Sequence, residues 1–332
     1  MRTSTFLTAC SLVFFAGTRS LQLQDSDAPF LQTVFQFSNI PSWIENVVVR
    51  DNGTLLVTRT DVPELWSVNP FSHTASLIYT FPAASGCVGI LEYAPEVFAV
   101  MCLKITFANA TALPGSGIVW KVDLSKPGLT PIVSQIAALK ESIFLNGITL
   151  LDKTALISDS TKGVIWRLNL HTGFYSIALS DPTMLPAPGA PVPIGINGIK
   201  VHGGYVYFTS STQGKFCRVP FNEDGSAAGP IEVLVTASFQ DDLILTRDGR
   251  AYIVTNLGNT VVEWIQGQKD FKVIAGNLNS SAVAGSTAVQ FARKGNDIDE
   301  ETLYVTTSGG LAAPVNGTFT EPGKIVKITL DN

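Results

Sequence analysis

A short alternation of apolar and polar residues recurs six times along the chain: ELWSVNP from Glu64, GIVWKVDL from Gly117, GVIWRLNL from Gly163, GKFCRVPF from Gly214, TVVEWIQG from Thr260 and GKIVKITL from Gly323. A period of two sends successive side chains to opposite faces, so each copy predicts an amphipathic strand. Ahead of each lies a pair of apolar runs joined by a turn, such as NVVVRDNGTLLVT, GITLLDKTALIS, GIKVHGGYVYFTS and DLILTRDGRAYIV. After the first five comes one further strand: SLIYTF, PIVSQI, YSIAL, IEVLVT and FKVIA. The predicted unit is therefore four antiparallel strands.

Six such units predict an all-β chain folded as a six-bladed β-propeller with four-stranded antiparallel blades. The sixth unit ends at GKIVKITL with no residues left for its outer strand, whereas FLQTVFQF, Phe30 to Phe37, stands unclaimed before the first hairpin. Pairing of these two segments closes the ring through an N-terminal strand and leaves no open edge. A pair of β-sandwiches would not account for six equivalent third strands.

The first twenty residues read differently. Arg2, the apolar run Phe6 to Gly17 and the small and polar residues Thr18 to Ser20 fit a secretory signal peptide at 1–20, too short to span a bilayer, leaving 21–332 as a single propeller domain. Cleavage there removes two of the 22 basic and none of the 27 acidic residues, taking the net charge from −5 to −7. Such a balance argues against nucleic acid as a partner, and no second apolar segment predicts a membrane span. Cysteine usage and four Asn-X-Ser/Thr acceptors, Asn52, Asn109, Asn279 and Asn316, agree with the secretory pathway and a secreted or vesicular glycoprotein. Cys87 and Cys102 flank the second blade's inner hairpin symmetrically, which predicts a disulfide. Cys217 takes the place that Trp120 and Trp166 hold in neighbouring third strands and reads as packing.

In a propeller the inner strands all start at one face, so strand position stands in for location. His73, His171 and His202 fall in turns of the opposite face, which excludes a histidine base at the face where the inner strands begin. No Cys/His cluster has zinc spacing. At the starts of the inner strands stand Glu45, Asn146, Asn197 and Asp241, with Val88 and the neighbourhood of Thr287 as the apolar remainder of the ring. Asn146-Gly147 and Asn197-Gly198 recur at the same blade position, unlike Asn52-Gly53, which punctuates a hairpin. A register slip of one residue would substitute Asn46 and Asp242. Three long connections, Leu179 to Gly195, Lys104 to Gly117 and Ser308 to Gly323, are apolar and proline-bearing and predict the walls of a cup for a hydrophobic small molecule.

Glu45, Asn146-Gly147-Ile148, Asn197-Gly198-Ile199 and Asp241, with DGRAYIV after it, resemble the senescence-marker/gluconolactonase superfamily of six-bladed propellers over nearly the whole chain after residue 20. The resemblance implies a divalent cation such as calcium on Glu45, Asn197 and Asp241, and a metal-dependent lactonase or esterase with the acidic residue as base. Glu45-Asn46 and Asp241-Asp242 depart from the Glu-Gly and Asp-Gly of that family. In overall character the chain is similar to a fungal hetero-Diels-Alderase-like branch of these propellers. That likeness implies a cyclase without cofactor, joining an o-quinone methide to a terpene alkene in meroterpenoid or tropolone sesquiterpenoid biosynthesis. Asn146, Asn197 and Asp241 would be its catalytic groups, and Glu45, Val88, Asn146, Asn197 and Asp241 its substrate contacts. A propeller that only binds a partner stands as a third reading.

Overall fold

The computed structural model describes residues 29–126, 128–295 and 297–330; the signal peptide expected at 1–20, and Cys10 within it, lie outside the described residues. Six four-stranded antiparallel sheets follow one another along the chain. Blade one comprises Ile44–Val49, Leu55–Arg59, Glu64–Asn69 and Thr74–Thr80, and blade two Gly86–Ala94, Val97–Leu103, Gly117–Asp123 and Ile132–Leu139. Blade three is Leu145–Leu151, Thr154–Asp159, Val164–Asn169 and Tyr175–Ser180, and blade four Ile196–His202, Tyr205–Ser210, Lys215–Pro220 and Glu232–Thr236. Blade five comprises Leu243–Leu245, Ala251–Thr255, Thr260–Trp264 and Lys272–Gly276. In blade six, Ser286–Lys294, Asp297–Thr307 and Lys324–Thr329 are completed on the outside by Phe30–Gln36. Each inner strand packs on the next, and the sixth returns to the first, so the ring is closed. The fold is a six-bladed propeller, with the two ends of the chain sharing one blade.

The apolar face of each sheet is buried against its neighbours. Met101, Leu103 and Val119 of blade two interleave with Ile148, Ile157 and Trp166 of blade three, and comparable clusters fill other gaps between blades. Outer strands carry the half-exposed pattern of a sheet rim, as in Thr74–Thr80. The alternation along the third strands is thus that of sheets packed face to face around an axis.

At three junctions, blade one to two, three to four and four to five, a second device fixes how far one blade turns from the next. Hydroxyls at the end of the second strand reach across to carbonyls at the start of the following blade's inner strand. Thr58 and Thr60 donate to Val88 O and Cys87 O at 2.5 and 3.1 Å. Ser158 and Ser160 donate to Asn197 O and Ile196 O at 2.5 and 2.6 Å. Thr209 and Ser211 donate to Asp241 O and Gln240 O. At the closing junction the donor lies instead on the inner strand of blade six: Thr287 Oγ1 donates to Ile44 O at 2.6 Å. Residues two apart in a strand share a face, which is why one Ser/Thr-x-Ser/Thr segment serves two successive carbonyls.

Cys87 and Cys102 sit opposite each other on neighbouring strands and are joined in a disulfide. Cys217 is buried and free, and burial pushes its thiol up to about 12, so it acts as a packing residue. All four glycosylation acceptors, Asn52, Asn109, Asn279 and Asn316, are exposed. Among the described residues no helix is long and apolar enough to cross a membrane.

Ser158 also accepts from Gly147 N at 2.8 Å. Replacing it by alanine strands two buried backbone groups, and we expect Ser158→Ala to lower the free energy of unfolding by about 2–3 kcal/mol in urea titrations. An unchanged midpoint would show that the clasp contributes nothing.

Candidate functional site

The start of the inner strand is irregular in five blades. Pairing skips between Ile44 and Asn46, Cys87 and Ile90, Leu145 and Ile148, Ile196 and Ile199, and Ser286 and Ala288. The skipped positions hold Glu45, Val88, Asn146, Asn197 and Thr287. A bulge takes a residue out of the ladder and re-aims its side chain, and here four of the five line one axial cavity. Thr287 instead turns to Ile44 O and Thr306. In blade five Asp241 stands just before the strand, held by its N–H to Val254 O at 2.8 Å, while Asp242 O accepts from Val254 N at 3.0 Å.

This geometry explains the recurring Asn-Gly pairs. A Cβ on Gly147 would lie 2.6 Å from Asn197 O, and one on Gly198 would lie 2.6 Å from the Cα of Asp242. The asparagine supplies the inward side chain, and the glycine lets the next blade's backbone come close enough to place its own.

The cavity encloses about 300 Å³. Glu45, Asn146, Asn197 and Asp241 meet in it, together with Val88. All three long connections contribute wall: Ile105, Phe107 and Ala110; Pro191, Val192 and Ile194; and Ala312. The remaining apolar surface comes from Trp43, Phe144, Phe239 and Leu257, with Trp43 edge-on to Phe107 at 5.2 Å between ring centres. Trp43, Phe144 and Phe239 each precede a polar site residue by two positions. Period two puts them on the same side as that residue, so the spacing aromatic-x-polar at Trp43/Glu45, Phe144/Asn146 and Phe239/Asp241 is a sequence signal for the walls. Asn256, in the turn after the second strand of blade five, also lines the cavity and carried no such signal. His73, His171 and His202 are not among the lining residues.

Asn46 and Asp242, the alternatives under a one-residue slip, face the other way. They line a second cavity of about 280 Å³ farther along the axis, where Lys200 Nζ lies 3.0 Å from Asp242 and the Asn46 amide donates to Asp242 at 3.3 Å. The two axial cavities are therefore back to back, one charged and paired, the other not.

No Lys, Arg or His lines the first cavity. Burial pushes Glu45 up to about 7, against hydrogen bonds from Trp43 Nε1 and Thr60, with Asp242 adding to the rise. Burial likewise raises Asp241 well above the usual carboxylate range, helped by the charges of Glu45 and Asp242 and opposed by the Asn197 and Asn256 amides. Asn197 gives one N–H to Asp241 Oδ1 at 2.7 Å and the other to Ser211 Oγ at 3.0 Å. Its donors are thus committed, leaving its oxygen for a ligand. The Asn146 amide has no hydrogen-bond partner among the described residues and retains both N–H groups. Among the described residues no three His, Cys, Asp or Glu side chains group as a metal cage. Glu45, Asn197 and Asp241 nevertheless line one cavity, and two carboxylates with an amide oxygen form a donor set that a hard divalent cation accepts.

No family model matches the chain. A Phoma sp protein named "Putative hetero-Diels-Alderase" is 26% identical over 297 residues, covering 80% of this chain and 83% of the relative. A second, "Putative hetero-Diels-Alderase asR5" of Sarocladium schorii, is 25% identical over 306 residues, covering 80% of this chain and 75% of the relative. Among solved structures, a calcium-binding protein, regucalcin, from Agrobacterium tumefaciens superposes with a TM-score of 0.59 at 13% identity, over 90% of this chain and 94% of that one. That last likeness is one of fold.

Raising a buried carboxyl favours its neutral form in the folded protein, so the contribution of Glu45 to stability is complete below its unfolded value of 4.5 and is lost as pH rises through about 7. Glu45→Gln is expected to be more stable than the parent by up to about 3 kcal/mol near pH ~8, with the difference vanishing towards pH ~4.5. Urea unfolding across that range measures it; a difference independent of pH would contradict the assignment.

Proposed function

We propose that the protein is a cyclase of the hetero-Diels–Alder type, acting in the secretory pathway on an o-quinone methide and a terpene alkene. The observation that carries this reading is the cavity itself: apolar walls from three separate connections around a small group of uncharged or neutralisable oxygen and nitrogen groups. The names of the two curated relatives support it. The reaction forms one carbon–carbon and one carbon–oxygen bond with no atom lost, and needs neither nucleophile nor cofactor. Enclosing the two partners in a reactive pose can lower the barrier by as much as about 7–11 kcal/mol. Asn146, with its N–H groups free, is placed to donate to the heterodiene oxygen as charge gathers there. Glu45, Val88, Asn197 and Asp241 shape the surface against which the substrates lie. The disulfide and the exposed glycosylation acceptors support an oxidising, secretory setting.

A second reading rests on Glu45, Asn197 and Asp241 sharing one cavity. With a divalent cation on those three residues the site would suit lactone or ester opening, the cation polarising the carbonyl when bound. In that reading the Asp241 side chain, held as a carboxylate by the cation, would be the group that takes a proton from water. A third reading, in which the propeller binds without catalysing, predicts neither adduct formation nor hydrolysis.

The readings separate by experiment. Purified protein supplied with an o-quinone methide generated in situ and humulene should form the cycloadduct above the uncatalysed rate, and EDTA should leave that rate unchanged. Filling the cup with Val88→Phe should lower it by about a hundredfold through misplacement of the partners. Hydrolysis of a lactone panel that disappears with EDTA and with Asp241→Ala, without adduct formation, would instead establish the metal-dependent reading.

A further inference from the structure

The cavity contains one polar group that neither the sequence pattern nor the proposed chemistry accounts for. Asn256 is only 2% exposed, yet both its amide nitrogen and its amide oxygen lack a hydrogen-bond partner. Leaving a buried amide unpaired costs about 1–3 kcal/mol per group, so such atoms are rare in folded proteins. The amide stands near enough to the Asp241 carboxyl to favour its charged form, yet neither of its polar atoms meets a partner at hydrogen-bond geometry. Nor is the segment loosely held. Asn256–Gly258 forms a single tight turn, Thr255 and Thr260 are joined at 2.5 Å across its base, and Asn259 Oδ1 accepts from Gly285 N at 2.6 Å. The turn therefore holds the unpaired amide at the cavity wall.

We propose that Asn256 is a specificity-determining residue that reads the polar edge of the ligand. A carboxamide offers one acceptor and a donor side by side. The complementary edge is a hydroxyl adjacent to a carbonyl on an otherwise apolar, uncharged molecule. An anion is disfavoured, because the cavity has two carboxyls and no cationic side chain in its lining. The inference deepens the cyclase reading, assigning this edge to the oxygen-bearing partner, and its test reads binding alone.

The probes are ortho-hydroxyacetophenone and ortho-methoxyacetophenone, both neutral in mild acid and differing in the donor. Calorimetric titration of the full protein should show tighter binding of the hydroxy probe by about tenfold, and Asn256→Leu should abolish that preference while leaving the methoxy probe within about twofold. A leucine variant that keeps the parent's preference, or a parent without one, overturns the proposal. Should the variant fail to fold, the parent decides the matter: the Asn256 side-chain amide resonance should shift with the hydroxy probe and not with the methoxy one, and absence of that difference is equally fatal. Neither outcome depends on adduct formation, so a failed cyclisation assay and a failed binding preference remain separate results.

Discussion

The molecule depends on the hydroxyl-to-carbonyl clasp between blades. Apolar packing between sheets is nondirectional and would tolerate sliding of one blade against the next. The clasp does not: Ser158 takes the N–H of Gly147 and gives its own proton to Asn197 O, tying two adjacent inner strands at the residues whose side chains enter the cavity. Thr209 does the same between Gly198 N and Asp241 O. Because these bonds are buried, each is strengthened by the apolar surroundings and costly to break. The bulge, the glycine behind each asparagine and the clasp form one unit, and the site's geometry is a by-product of how the ring is closed.

That unit also explains the electrostatics. A bulge at each blade start directs side chains to a common axis, so carboxyls far apart in sequence, Glu45 and Asp241, come to face the same enclosed space. Neither finds a cation there. The available lysine, Lys200, lies on the other side of the strand and pairs with Asp242, because successive residues in a strand point to opposite faces. The result is a polar lining without a cationic side chain on one side of the axis and an ion pair on the other. The nearby Asp242 carboxylate adds a further rise to Glu45 and Asp241 by charge repulsion.

Much of this was legible in the sequence, and the reason is periodicity. The third-strand pattern showed blade number, strand order and a closing strand at Phe30 to Phe37, which forms over Phe30–Gln36, and blade position brought Glu45, Val88, Asn146, Asn197 and Asp241 together. The Cys87–Cys102 pairing followed from hairpin symmetry. What remained hidden had a different cause in each instance. The Ser/Thr-x-Ser/Thr ends of the second strands look like ordinary polar strand termini, and their role appears only when the next blade is placed beside them. Trp43, Phe144 and Phe239 went unread although each stands two positions before a polar site residue, because that spacing gains meaning only once the polar residue is known to face a cavity. Asn256 lies in a turn, where asparagine is common for conformational reasons. Only its lack of partners sets it apart, and that is a property of the packed structure.

The kind of chemistry such a site favours follows from what it cannot do. A triad needs a base held by an orienting group within reach of a nucleophile, and blade geometry sends all three histidines elsewhere. A phosphate or carboxylate would meet two buried carboxyls and no counter-charge. What the ring does well is hold several walls around a small enclosed volume, because each wall is anchored to a different blade. Reactions whose barrier is mainly one of alignment gain most from such enclosure, and they gain it without any group having to change its charge. A pair of apolar partners with a single polar edge between them fits that description better than a hydrolytic substrate, whose developing negative charge would find no cationic side chain in the lining.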